Sequence, residues 1–174
     1  TVESLPPDQQ VQFISSKLKD LNSRLQNINN MQGGEQFELK KRSATGNLNQ
    51  LISVYGGNDG KTLSIQNKLD NANQNWQTRS KEINQGVSSV KSRLSEANLI
   101  FSDLKENFAG RLEEASPALN VLQENLVRTE GEVDALGSLS NNALSEAVRE
   151  YSSVQAESNQ LAIDAVPDIP STLT

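Results

Sequence analysis

The chain has 174 residues, 34% of them hydrophobic and only 4% aromatic, with a formal net charge of -6. So little apolar side chain excludes a wide core of several layers and favours a thin assembly in which each helix buries one narrow stripe. The absence of both Cys and His removes disulfides, most transition-metal ligand sets and the usual nucleophile–base pairs.

The charge is unevenly spread. Residues 1–100 carry 12 basic and 9 acidic side chains, whereas residues 101–174 carry 4 and 13. The acidic second half argues against nucleic acid or anionic lipid as a partner there. The cluster Lys40, Lys41, Arg42 is too short to reverse that and reads as a solvated face. There is no Asn-x-Ser/Thr sequon, signal peptide or membrane-spanning run, which fits a reducing, cytoplasmic setting without membrane insertion. The chain opens on Thr1, as a fragment of a longer protein would, and targeting signals can lie outside it.

Residues 1–7 are a lead-in, with Pro6 and Pro7 at or just before a helix start. A first helix is predicted over 8–32. Its stripe of Val11, Ile14, Leu18, Leu21, Leu25 and Ile28 is spaced 3, 4, 3, 4, 3, the unbroken pattern of a coiled-coil seam. Gly33-Gly34 stops or bends it. A second helix over 35–55 places Phe37, Ala44, Leu48, Leu51 and Tyr55 on one face.

Gly56-Gly57-Asn58-Asp59-Gly60 is the strongest break in the chain, and Asn58 or Asp59 can cap the next helix. From there a long amphipathic stripe runs to Leu136, as one helix or two in series. The spacing slips at Ile83–Val87 and again at Leu104–Phe108–Leu112, which lets the buried face rotate toward new partners. The helix is expected to reach about Ala115 and to break at 115–117, with Ser116 as N-cap and Pro117 as first helical residue. A further helix then runs to about 136. Gly131 and Gly137 weaken its end, and Thr129-x-x-Glu132 offers a capping box for a restart. A last helix over 139–165 carries Leu144, Val148, Tyr151, Val154 and Leu161, and 166–174 is a Pro-containing tail.

No motif carries chemistry. Glu113 and Glu114, and Glu130, Glu132 and Asp134, point in different directions on a helix and lack the apolar surroundings that raise a pKa. Gly60-Lys61-Thr62 imitates the end of a phosphate loop, but Tyr55 stands where its first glycine belongs and a helix, not a strand, precedes it. Trp76 shares its stripe with Leu69, Ala72 and Ile83 and is expected in a core. Pro167-x-x-Pro170 is a minimal polyproline pattern. Catalytic, cofactor-binding and metal-ligating residues are therefore expected to be none.

The stretch from Trp76 to Ile83 (Trp-Gln-Thr-Arg-Ser-Lys-Glu-Ile), followed by Arg93-Leu-Ser-Glu-Ala97 and Phe101-Ser-Asp-Leu-Lys-Glu106, resembles the third helix of a spectrin repeat passing into the next repeat. The family's first-helix Trp is missing, with Phe13 the only aromatic there, and Pro117 interrupts what would be continuous helix. The resemblance implies an all-α fold: an elongated antiparallel three-helix bundle over 8–97, with a long helix bridging into a second, partial helical bundle segment over 98–165. It also implies a cytoplasmic, cytoskeleton-associated spacer and scaffold, without cofactor, that meets other proteins through its helical faces. The alternative is a coiled-coil adaptor of membrane trafficking, similar to the V-shaped domain of ESCRT-associated proteins, with a homo-oligomer among its possible states.

Overall fold

A computed structural model describes residues 5–32 and 35–165, with backbone only at 35 and 36. The expected stop at Gly33-Gly34, the tail at 166–174 with its Pro167-x-x-Pro170, and residues 1–4 lie outside the described residues. Every long element among the described residues is an α-helix: α1 (Pro7–Met31), α2 (Glu35–Tyr55), α3 (Gly60–Asn107) and α4 (Ser116–Asp164). A 3-10 turn over Leu112–Ala115 precedes α4.

The chain divides into two compact units, each discontinuous in sequence. The first joins α1 to Glu82–Ser140, and the second joins Gln32–Lys81 to the residues from Asn141 onward. This differs from the expected division at 97/98. α1 finds partners more than a hundred residues away on α4, at Glu130 and Asp134. Similar 3/4 stripes are interchangeable by eye, so periodicity cannot say which helix covers which. The bridge expected between 8–97 and 98–165 is likewise displaced: the residues on either side of 97/98, Glu82 to Ser140, all lie in the first unit. The residues of α3 and α4 at which one unit gives way to the other are Lys81–Glu82 and Ser140–Asn141.

In the first unit, α1 runs parallel to α4, since Lys17 meets Glu130 and Arg24 meets Asp134. α3 runs antiparallel to α4, with Arg93 on Glu132 and Gly86 against Leu136. A Cβ at Gly86 would come within 2.5 Å of a Leu136 methyl carbon, so glycine is what admits that leucine. The core here is Ile14, Leu21 and Leu25 of α1, Ile83, Val90 and Leu94 of α3, and Leu119, Leu126 and Val133 of α4, all nearly inaccessible to solvent. Each such side chain contributes roughly 1.5–3 kcal/mol.

The second unit repeats the directions. Asn47 and Tyr55 of α2 reach Gln155 and Leu161 of α4, while Lys68 and Arg79 of α3 meet Glu157 and Glu146 in antiparallel order. Its buried positions on α4 are Ala143, Ala147, Tyr151, Val154 and Ser158. The expected Leu144 and Val148 are only half-buried, because the face is turned by one residue, about 100°. Alanines suit this place: Phe37 packs against Trp76 at 4.3 Å with the rings tilted by 37° and edges Tyr151 at 5.7 Å, so three rings already fill the volume.

The boundaries follow local chemistry. Asp59 accepts from the Lys61 N–H at 2.9 Å and caps α3, as its position before the helix suggests. α3 ends eight residues earlier than expected. Gly110 takes φ +79°, a left-handed conformation that stops a helix, and Arg111 donates to the Asn107 carbonyl at 3.1 Å. Ser116 is not the N-cap. It is already helical at φ -51°, ψ -44°, and its hydroxyl donates to Gln10. Pro117 falls in the first turn, where its missing N–H costs little. The break expected near 137 is absent. Thr129 donates to the Asn125 carbonyl within the helix and Glu132 pairs with Arg93, so neither residue caps a restart.

Two glycine substitutions separate these roles in thermal unfolding. Gly131 is exposed mid-helix with open space around its Cβ position, so Gly131→Ala is expected to stabilise the protein by about 0.5–1 kcal/mol. Gly110→Ala is expected to destabilise it by about 1–2 kcal/mol.

Candidate functional site

Of the acidic residues that could have suggested chemistry, Glu114, Glu130, Glu132 and Asp134 serve as counter-ions. Glu114 pairs with Arg111 at 2.8 Å in the turn before α4. Glu130 receives Lys17 at 2.7 Å and Arg24 at 3.4 Å, Asp134 receives Arg24, and Glu132 receives Arg93. The hydrogen bond to Asp134 raises the Arg24 pKa further above its ordinary value, against a partial desolvation, with the Asp134, Asp20 and Glu130 charges adding to it. These pairs sit at the helix seams with a third or more of many side chains exposed, so each contributes at most about 1 kcal/mol. Among the described residues no group of three or more Asp or Glu side chains converges as metal ligands would.

Gly60-Lys61-Thr62 forms the first turn of α3 after a helix and a tight turn. Its backbone N–H at Lys61 is occupied by the Asp59 carboxylate, the Lys61 ammonium lies over the Tyr55 ring at 5.1 Å, and Thr62 is buried. A phosphate has no seat there. Trp76 is 9% exposed and lies under Phe37, a core position as its stripe suggests. Lys40 and Arg42 are exposed and Lys41 is half-buried.

A feature that motif reading did not reveal is a groove at the α3–α4 seam of the first unit, about 480 Å³ in volume. Leu94, Ala97, Leu122 and Leu126 line it together with Ile100 and Arg128, and the Arg93–Glu132 pair belongs to its lining. Ile100 is 44% exposed and the adjacent Leu99 66%. The sequence signal was Ala97, a small residue on a stripe of larger ones, which leaves a dip where its neighbours fill the seam. Apolar side chains share its walls with Arg93, Glu96, Arg128 and Glu132, so it can receive apolar side chains between charged ones.

Comparison with protein-family models, with curated proteins and with solved structures gives no match.

Among the described residues, the one strongly perturbed group within the reach of ordinary titration is Tyr151. Burial pushes its hydroxyl up to about 12, with the negative charges of Glu150 and Glu38 adding to the effect, while the hydroxyl donates to Asn73 at 2.6 Å. The folded state therefore holds this proton more tightly than the unfolded chain does. Stability linked to it is fully present below pH 10 and is lost as the pH rises from 10 toward 12, by at most about 1.4 kcal/mol per unit. Urea unfolding followed by Trp76 fluorescence is expected to show this extra alkaline loss in the wild type and not in Tyr151→Phe.

Proposed function

We propose that this chain is a non-catalytic structural spacer and protein-interaction scaffold, cytoplasmic and associated with the cytoskeleton. Its finer fold is read as spectrin-repeat-like, with each unit an antiparallel three-helix bundle. The observation that carries the proposal is that α3 and α4, of 48 and 49 residues, each contribute without interruption to both compact units. A helix of that length spans about 70 Å at 1.5 Å per residue. Two such helices side by side transmit tension through backbone hydrogen bonds and buried stripes instead of through a flexible linker. The scarcity of reactive side chains and the counter-ion role of the carboxylates support the absence of catalysis.

A second reading, a coiled-coil adaptor that oligomerises or docks partners in membrane trafficking, draws support from apolar side chains left in solvent on the first unit: Leu99, Ile100, Val121 and Val127. Among the described residues no helix is long and apolar enough to cross a membrane, so either role is exercised through proteins.

Light scattering combined with small-angle X-ray scattering over a hundredfold concentration range distinguishes the two. A concentration-independent, extended monomer is the outcome expected for the spacer. An obligate dimer that unfolds on dilution would remove it in favour of the adaptor.

A further inference from the structure

The apolar seam between α1 and α4 has a built-in ambiguity. Ile14, Leu18, Leu21, Leu25 and Ile28 repeat with a period of seven residues, and so do the buried α4 positions Ala115, Leu119, Leu122, Leu126, Thr129 and Val133. Sliding one helix past the other by seven residues keeps apolar surface on apolar surface, since the Thr129 hydroxyl is turned to the Asn125 carbonyl of its own helix. Apolar burial is non-directional, so it distinguishes these registers only through the side chains left uncovered at the ends.

A flanking row is not self-similar. Gln10, Lys17 and Arg24 are spaced by seven and all face α4. Lys17 and Arg24 meet carboxylates at Glu130 and Asp134. Gln10 is wholly inaccessible to solvent. Its amide nitrogen donates to Asn120 and, at 3.1 Å, to Gln123 Oε1, and its carbonyl accepts from the Ser116 hydroxyl at 3.1 Å. Gln123 is itself fully buried. Neutral amides thus meet neutral amides at a dry level, and cations meet acids at wetter ones.

We propose that this Gln10–Ser116–Asn120–Gln123 layer is the register-selecting element of the first unit. A slip of α1 toward the start of α4 would drive the Lys17 ammonium into the buried amide level, where no carboxylate receives it. The opposite slip removes α1 from Ser116 and Asn120 and places the Gln10 amide beside Glu130, displacing the lysine that neutralises it. The ionic row is only weakly selective, because in either shift one cation takes the other's carboxylate: Arg24 reaches Glu130, or Lys17 reaches Asp134. A single buried polar layer is the established means by which otherwise repetitive seams acquire one alignment, at some cost in stability.

The chain has no cysteine, so Lys19→Cys and Ala135→Cys, both at exposed positions, accept spin labels in the full chain. Double electron–electron resonance is expected to give one distance with the native layer. Gln10→Met with Gln123→Met keeps side-chain size and removes the amides. It is expected to fold with an unchanged or higher melting temperature and to show a second population of at least a tenth, displaced along α4 by about 10 Å, the rise of seven helical residues. A second variant, Gln10→Lys with Lys17→Gln, moves the amide by one heptad while both positions stay polar, and is expected to enrich the displaced population further. A single unshifted distance in both folded variants overturns the proposal. Loss of folding in both, judged by circular dichroism, also overturns it, because the layer would then supply stability and not register.

Discussion

Each helix in this protein has only one narrow apolar stripe, and a stripe of that kind is stable only when two neighbours cover it. The stripe of α4 satisfies this condition for the others. α1 and the end of α3 are buried against its first half, and α2 and the start of α3 against its second. A helix of 49 residues with a scattered surface of Asn, Gln and Ser gains little from propensity alone, so its length is maintained by the partners that line it. The two units are thus built on the same rule with different fillings. The first is packed with leucine, isoleucine and valine, whereas the second has alanines on α4 opposite a cluster of three aromatic rings.

Charge in this molecule organises the seams. Acidic residues abundant on α4 receive the basic residues of α1 and α3: Lys17, Arg24 and Arg93 in the first unit, and Lys68 and Arg79 in the second. This explains why the halves of the chain carry opposite charge balances. The acidic surface of the second half is largely complementary to the chain's own cations. Exposed pairs of this type contribute little energy, but they make some alignments of a repetitive seam better than others. The buried amide level around Gln10 does so more sharply, because a charge forced into it has no water and no partner.

The spacer role proposed for this chain rests on continuity and surface: α3 and α4 each belong to both compact units, and the groove at Ala97, with Leu99 and Ile100 exposed beside it, presents apolar surface.

Much of the local architecture was legible in the sequence. The all-helical class, the extent of α1 and α2, the Asp59 cap, the start of α3 and the core position of Trp76 all follow from short-range rules: stripe period, glycine clusters and capping side chains act within one or two turns. The rest belonged to contacts between helices well separated in the chain. Thr129-x-x-Glu132 and Gly137 read as a restart, yet a continuous helix passes through them because partners on α1 and α3 hold it. Ser116 reads as a cap, but its hydroxyl turns to Gln10. The stripe of α4 near Leu144 rotated by one residue because Phe37 and Trp76 had already taken the space. The groove near Ala97 became visible only once α4 was laid beside α3. The sequence by itself therefore determined the buried faces of α1, α2 and α3 and where those helices begin. The tertiary structure alone decided which face covers which, because repeating stripes are equivalent until long-range polar pairs and side-chain volumes choose between them.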